Sequence, residues 1–265
     1  MRLSVLDQST VVSGRSPDMS IRESLALAQH CEALGYARYW CAEHHNSASI
    51  AGSAPEILIA AIAATTQRIR VGSAGVMLPH YAALKVAEQF RVLDAIAPGR
   101  IDLGLGRAPG SDGLTAYALN PNAATASEHF PSQVRDVLAW MAGAPLPDNH
   151  PFRAISAQPQ GPGLPETWIL GSSDFGAQVA AHFGLPHCFA YFISEGHGAA
   201  EALALYRQRY QPSPRHPEPY GAICVWALAA EVGVEDIAIL TTTHDPAARR
   251  RSYSLLAAEF GLQGS

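Results

Sequence analysis

The chain has 265 residues, enough for one large domain with a full core, and barrels of this size are commonly single domains. Charged residues make up only 15%, below the roughly 25% of an average soluble domain, and a net charge of −5 with acids and bases interspersed leaves no nucleic-acid footprint. The longest apolar run, Ala222 to Ala230, is far too short to span a bilayer.

In chain order, strand-like and helix-like segments alternate. Residues 3–6 are an apolar strand that begins at once, leaving no room for a signal peptide, and a polar loop over 7–18 follows. Residues 21–34 have helical spacing through Leu25, Ala28, Cys31 and Leu34, and Gly35 stops them. The second strand, 38–42, leads into Glu43-His44-His45-Asn46. A helix over 55–65 precedes a third strand that starts at 70–72 and continues to Leu78-Pro79. A third helix, 84–96, is ended by Pro98-Gly99.

The next stretch, 98–112, is the most informative. It reads as a turn, a short buried strand over 101–105, and a loop that opens on Gly106-Arg107. Gly104 and Gly106 allow another backbone or a ligand to approach closely. Arg107 then stands where a parallel strand ends, the usual ligand position in α/β folds, and its planar fork suits a phosphate. A strand-end arginine paired to a neighbouring carboxylate is the plainer alternative. Neither a dinucleotide fingerprint nor a P-loop fits, because Pro109 stands where the last glycine belongs and no Gly-Lys-Ser/Thr follows.

A long loop to about Phe130 leads to a helix over 132–141, then to a proline- and glycine-rich irregular excursion over 145–166. Strand five is 167–170. Ser172, Ser173 and Asp174 are cap candidates for the helix 175–183, which Gly184 stops. Strand six (188–192), a helix (199–210), strand seven (222–228), strand eight (236–241) and a closing helix (246–260) complete the pattern.

Eight strands alternating with helices argue for a (β/α)8 TIM barrel over a doubly wound sheet. One connection breaks the rule. A parallel crossover with its helix needs at least about 10–12 residues, yet only residues 229–235 separate strands seven and eight. Either a segment is missing there or the two strands form a hairpin. Cys31, Cys41, Cys188 and Cys224 have no metal-type spacing and read as reduced, buried thiols of a cytoplasmic protein.

The residues at the strand ends resemble the bacterial luciferase-like flavin monooxygenases. The likeness is carried by Ala-Glu-His-His-Asn at 42–46, Gly-Val-Met-Leu-Pro at 75–79, the whole of 99–112 and Leu-Gly-Ser-Ser at 170–173. It covers nearly the whole chain and departs from the family between strands seven and eight. There, family members carry a helix and a long extra segment, so the resemblance implies lost residues or a deletion. It further implies a non-covalent FMN in the barrel mouth. Arg107 and Ser173 would grip its phosphate, with Ser172 and backbone N–H groups at the following helix start, including the turn at Gly171. Ordinary helix capping is the alternative for the two serines. The backbone at Ala74-Gly75 would lie beneath the isoalloxazine ring, at a peptide that is often cis in the family; a tightly packed strand is the alternative.

Adjacent side chains in an extended segment point opposite ways, so only one of the paired histidines faces the flavin. By family analogy that is His44, managing a proton at flavin or substrate, while His45 is structural. Gln8, Asn46, His80, Asp112 and His244 fall near strand ends and are candidate pocket residues. The leading expectation is therefore an FMN-dependent monooxygenase that uses reduced flavin and O2 on a small organic substrate. A deazaflavin (F420)-dependent hydride-transfer enzyme of the same fold and a non-catalytic flavin-binding protein are the rivals. No NAD(P)H fingerprint is present, so a separate NAD(P)H-flavin reductase is the expected partner. The family also implies a homodimer through the helices at 57–65 and 84–96.

Overall fold

The computed structural model describes residues 2–226, 236–241, 243 and 245–264. Its strands are β1 (Arg2–Asp7), β2 (Arg38–Cys41), β3 (Arg70–Ser73), β4 (Val76–Met77), β5 (Ile101–Gly106), β6 (Glu166–Gly171), β7 (His187–Phe189), β8 (Gly221–Trp226) and β9 (Asp236–Leu240). All pair in parallel in the order β3-β2-β1-β9-β8-β7-β6-β5-β4, and β3 also pairs with β5 (Val71↔Ile101), which closes the ring. β4 continues β3 beyond the Ala74–Gly75 peptide, which is cis, so the nine segments form the eight staves of a (β/α)8 barrel.

The strands are almost wholly buried because helices cover them outside and side chains fill them inside. The cover consists of α1 (Pro17–Ala33), α2 (Pro55–Thr65), α3 (Ala83–Ile96), α6 (Phe130–Ala142), α7 (Asp174–Phe183), α9 (Ala199–Arg209) and α10 (Pro246–Glu259), with α4 (Gly113–Leu119), α5 (Ala123–Glu128) and α8 (Tyr191–Ser194) in the loops of the C-terminal face. No described helix is long and apolar enough to cross a membrane. All four cysteines are buried and free.

Three expectations change. The long loop before Phe130 holds α4 and α5, each less than two turns and too short to show periodicity. Strand six ends at Phe189, and the apolar run after it coils into α8, since an apolar run alone does not separate strand from helix. β8 and β9 do not form a hairpin: they are parallel, with Ala222 opposite Asp236. Parallel pairing demands only reach from a link, and the 10–12-residue figure applies to links that include a helix. The connection itself, 227–235, lies outside the described residues, and with it the expected missing segment.

The N-terminal end of the barrel is plugged by Arg38, which donates to Asp102 of β5, Glu166 of β6 and Asp236 of β9. Only the opposite end is left for a ligand. Outside the barrel wall, His187 at the head of β7 is fully buried. Its Nδ1–H donates to the Ile169 carbonyl at 2.9 Å and its Nε2 has no partner among the described residues, so the ring is held neutral. Burial pulls its pKa down from 6.5 to about 4, against the hydrogen bond to Ile169, which raises it.

Because the unfolded chain takes up this proton near pH 6.5 and the folded chain does so only near 4, stability falls as pH drops through that window, by up to about 3 kcal/mol. His187→Gln should flatten the urea-midpoint profile between pH 6.5 and 4 relative to wild type; equal slopes would show that His187 is not the titrating group.

Candidate active site

A cavity of about 320 Å³ opens at the C-terminal ends of the strands. Its floor is apolar: Leu6, Trp40, Cys188 and Cys224. Burial pushes both thiols well up, so they stay protonated and act as small apolar groups.

One wall is the turn of chain from β3 to β4, Ala74-Gly75 and Met77. β3 and β5 approach so closely here that a Cβ on Gly104 would lie 2.2 Å from the Ser73 carbonyl, and one on Gly75 would lie 2.5 Å from the Leu170 side chain. Ser73 Oγ fixes the approach, donating to the Gly104 carbonyl and accepting the Gly104 N–H, each at 3.0 Å. Small residues thus bring main chain, rather than side chains, to the cavity surface.

At another side the strand ends of β5 and β6 meet. Arg107, the first residue after β5, lays its guanidinium over the Phe175 ring at 4.1 Å. Phe175 lies in the first turn of α7, so the cation is held beside Gly171, Ser172 and Ser173, all of which line the cavity. Ser173 is the N-cap of α7 but its side chain makes no capping bond, which leaves the hydroxyl for another partner. Asp174 accepts from Gln178 along the helix. The guanidinium, hydroxyls and helix-start amides form a donor set suited to an anion.

On the β2 side, His44 lines the cavity and its backbone N–H donates to Gly52 at 2.9 Å. Its Nδ1 is sealed in the wall without a partner among the described residues. Burial lowers its pKa below the ordinary 6.5, opposed by the neighbouring Glu43 and reinforced by His45, so the ring is neutral at pH 7. His45 turns the other way and donates Nε2–H to Glu43 at 2.8 Å.

The structure sets the remaining candidates away from this cavity. Asp112 caps α4, accepting from the N–H groups of Leu114 and Thr115 and from Asn46 Nδ2 at 3.1 Å; these hydrogen bonds, led by that of the Thr115 hydroxyl, hold its carboxyl well below the usual range. Asn46 is therefore spent on Asp112. His80 is buried, donates Nε2–H to Pro109 at 2.7 Å and faces a separate cavity of about 280 Å³ under α4 and α5. Gln8 is half-buried and outside the cavity lining, and His244 lies outside the described residues.

Several lining residues were not singled out from sequence. Trp40 and Leu170 carry an inward strand position as their signal, and Phe175 follows the cap run Ser172-Ser173-Asp174. Phe192 and Ile193 reach the cavity only because α8 forms. Taken together, a largely apolar cavity bounded in part by main chain, with a donor set suited to an anion at its edge, fits an aromatic ligand carrying a phosphate.

A family model described as luciferase-like monooxygenase matches residues 1–254. YwcH of Bacillus subtilis (strain 168) is 45% identical over 229 residues, which cover 86% of this chain and 68% of YwcH. The N-acetyl-S-alkylcysteine monooxygenase of the same organism is 42% identical over 210 residues, covering 79% of this chain and 62% of that protein. Among solved structures, apo-MsnO8 superposes with a TM-score of 0.89 at 32% identity and covers 100% of this chain and 99% of its own.

Proposed function

The chain belongs to the luciferase-like monooxygenase family, and on that premise we propose that this oxidoreductase uses reduced FMN and O2 to oxygenate a small organic substrate in the cavity at its barrel mouth. The observation that carries this reading is the Arg107–Phe175 stack beside the free N-cap serine of α7, set at the edge of a slot floored by Trp40 and walled by Ala74-Gly75.

When bound, reduced FMN supplies the electrons that activate O2. The chain's own residues do the rest. Arg107, Ser172 and Ser173, with the amides that open α7, hold the phosphate. Ala74 and Gly75 would support the ring with main chain, and Gly171 would border the bound cofactor. Neutral His44 takes up or returns a proton through Nε2, the ring nitrogen not sealed in the wall. The apolar lining keeps water from the reacting atoms. A separate flavin reductase brings the reduced cofactor, because the sequence has no nicotinamide-binding fingerprint of its own. Ile57 on α2 and Val92 and Ile96 on α3 are exposed on faces turned away from the barrel, which supports a homodimer across these helices.

Arg107→Ala should weaken FMN by about 1.5–3 kcal/mol, the range for a lost charged hydrogen-bond partner, and leave riboflavin almost unaffected; equal losses for both would make Arg107 structural. His44→Ala should leave FMN affinity nearly unchanged yet lower product yield and raise peroxide release, with the rate of the oxygenation step falling by roughly 10²–10⁴-fold. Since burial lowers the pKa of His44, the acid-side fall in wild-type yield should have its midpoint below the ordinary imidazole range; a midpoint above pH 7 would contradict the neutral-imidazole role. For the dimer, Ile57→Glu with Val92→Glu should halve the mass by sedimentation, and a monomeric wild type at micromolar concentration would remove the proposal.

A further inference from the structure

The last backbone rung between β2 and the β3 side is the Ala74 N–H donating to the Cys41 carbonyl at 2.8 Å. Beyond the Ala74–Gly75 peptide the chain continues as β4, which among the described residues pairs with β5 alone, through Val76↔Leu105 and Met77↔Gly106. A side chain supplies the rung that the backbone no longer makes. Glu43 Oε2 accepts the Met77 N–H at 3.0 Å, while Oε1 accepts the Tyr81 hydroxyl at 2.7 Å and His45 Nε2–H at 2.8 Å.

This carboxylate is 1% exposed, so its donors are met out of water, where an unmatched partner is costly. The loop after β5 packs onto the backbone of the same residue and onto Met77: a Cβ at Gly110 would lie 3.1 Å from the Glu43 main-chain carbonyl and 3.2 Å from Met77 Cγ. His44, the next residue after Glu43, is left facing the cavity.

We infer that Glu43 is a positioning residue: its carboxylate stands in for the missing rung and holds the His44 end of β2 and the Ala74-Gly75 segment together as one wall for the flavin ring. The inference rests on the flavin reading above. The carboxylate accepts all three donors at once. In Glu43→Gln one of its two acceptors becomes a donor, so either the Met77 N–H loses its partner or the Tyr81 hydroxyl and the His45 ring must turn from donating to accepting.

The effect of this wall is on the ring, not on the phosphate, which separates it from Arg107. The test is titration of wild type, Glu43→Gln and Tyr81→Phe with FMN and with riboflavin, followed by flavin fluorescence, with the melting temperature of each protein measured alongside. Glu43→Gln should bind both flavins at least tenfold more weakly, by the same factor, while still melting cooperatively. Tyr81→Phe, which removes one donor and leaves the carboxylate, should weaken both by a smaller common factor. A folded Glu43→Gln protein that binds both flavins within twofold of wild type overturns the inference, as does a loss confined to FMN. If Glu43→Gln does not fold, Tyr81→Phe decides: unchanged affinity for both flavins overturns the inference and a common loss supports it. A folded wild type that binds neither flavin overturns the cofactor reading first, and this inference with it.

Discussion

The Arg38 guanidinium, 3% exposed, donates to carboxylates from three other strands: Asp102 of β5 and Glu166 of β6 at 3.1 Å, and Asp236 of β9 at 2.5 Å. Arg70 of β3 adds a second cation on Asp102 at 2.5 Å, and Ser4 of β1 donates to Asp236 at 2.8 Å. These groups all lie at or near the N-terminal ends of their strands. Burial pushes the Asp102 carboxyl up, while Arg70 and Arg38 pull it down. Charges so deep are tolerated only with their partners in place, so a register slip in any of these strands would strand an ion in the core. This layer fixes the stagger of the ring, and through it the heights at which strand ends emerge on the opposite face.

Trp40 transmits that order upward. Its indole N–H donates to Asp102 at 2.9 Å, its ring packs edge-to-face on Trp168 at 5.1 Å, and the same ring floors the cavity. The barrel interior is thus ionic below, aromatic in the middle and open above. The open end combines rigid strand termini with two short-range devices, the Ser73–Gly104 approach and the Arg107–Phe175 stack. Both are local contacts set on a scaffold that other folds share, which is how a shared barrel comes to hold one particular ligand shape.

Much of this was legible in the sequence. Apolar runs parted by helical spacing reveal the strands in order, because every stave is buried on both faces. Arg107 and the Ser172-Ser173 pair were legible because strand ends and helix starts are positions with known chemistry. What escaped depends on contacts remote in sequence. Arg38 reads as the first residue of a strand, and nothing local says that Asp102, Glu166 and Asp236 converge on it. Glu43 reads as one member of a polar run, although three donors meet on it. Asn46, Asp112 and His80 were near strand ends as expected, but local demands claimed them: a helix cap for Asp112, the Asp112 carboxylate for Asn46 and the Pro109 carbonyl for His80. The parallel pairing of β8 with β9 was not legible, because the short stretch between the two apolar runs carries no local sign of a parallel connection.

We propose that the barrel mouth binds a flavin by its phosphate and its ring together. The most direct measurement is the absorption spectrum of the purified protein titrated separately with FMN and with a deazaflavin cofactor, under oxidising and then reducing conditions. The account predicts saturable binding of FMN, tightest in its reduced form, with a spectral shift from transfer of the ring into the apolar slot, and weaker binding of the deazaflavin. A protein that leaves the FMN spectrum unchanged in both redox states while binding the deazaflavin would contradict it.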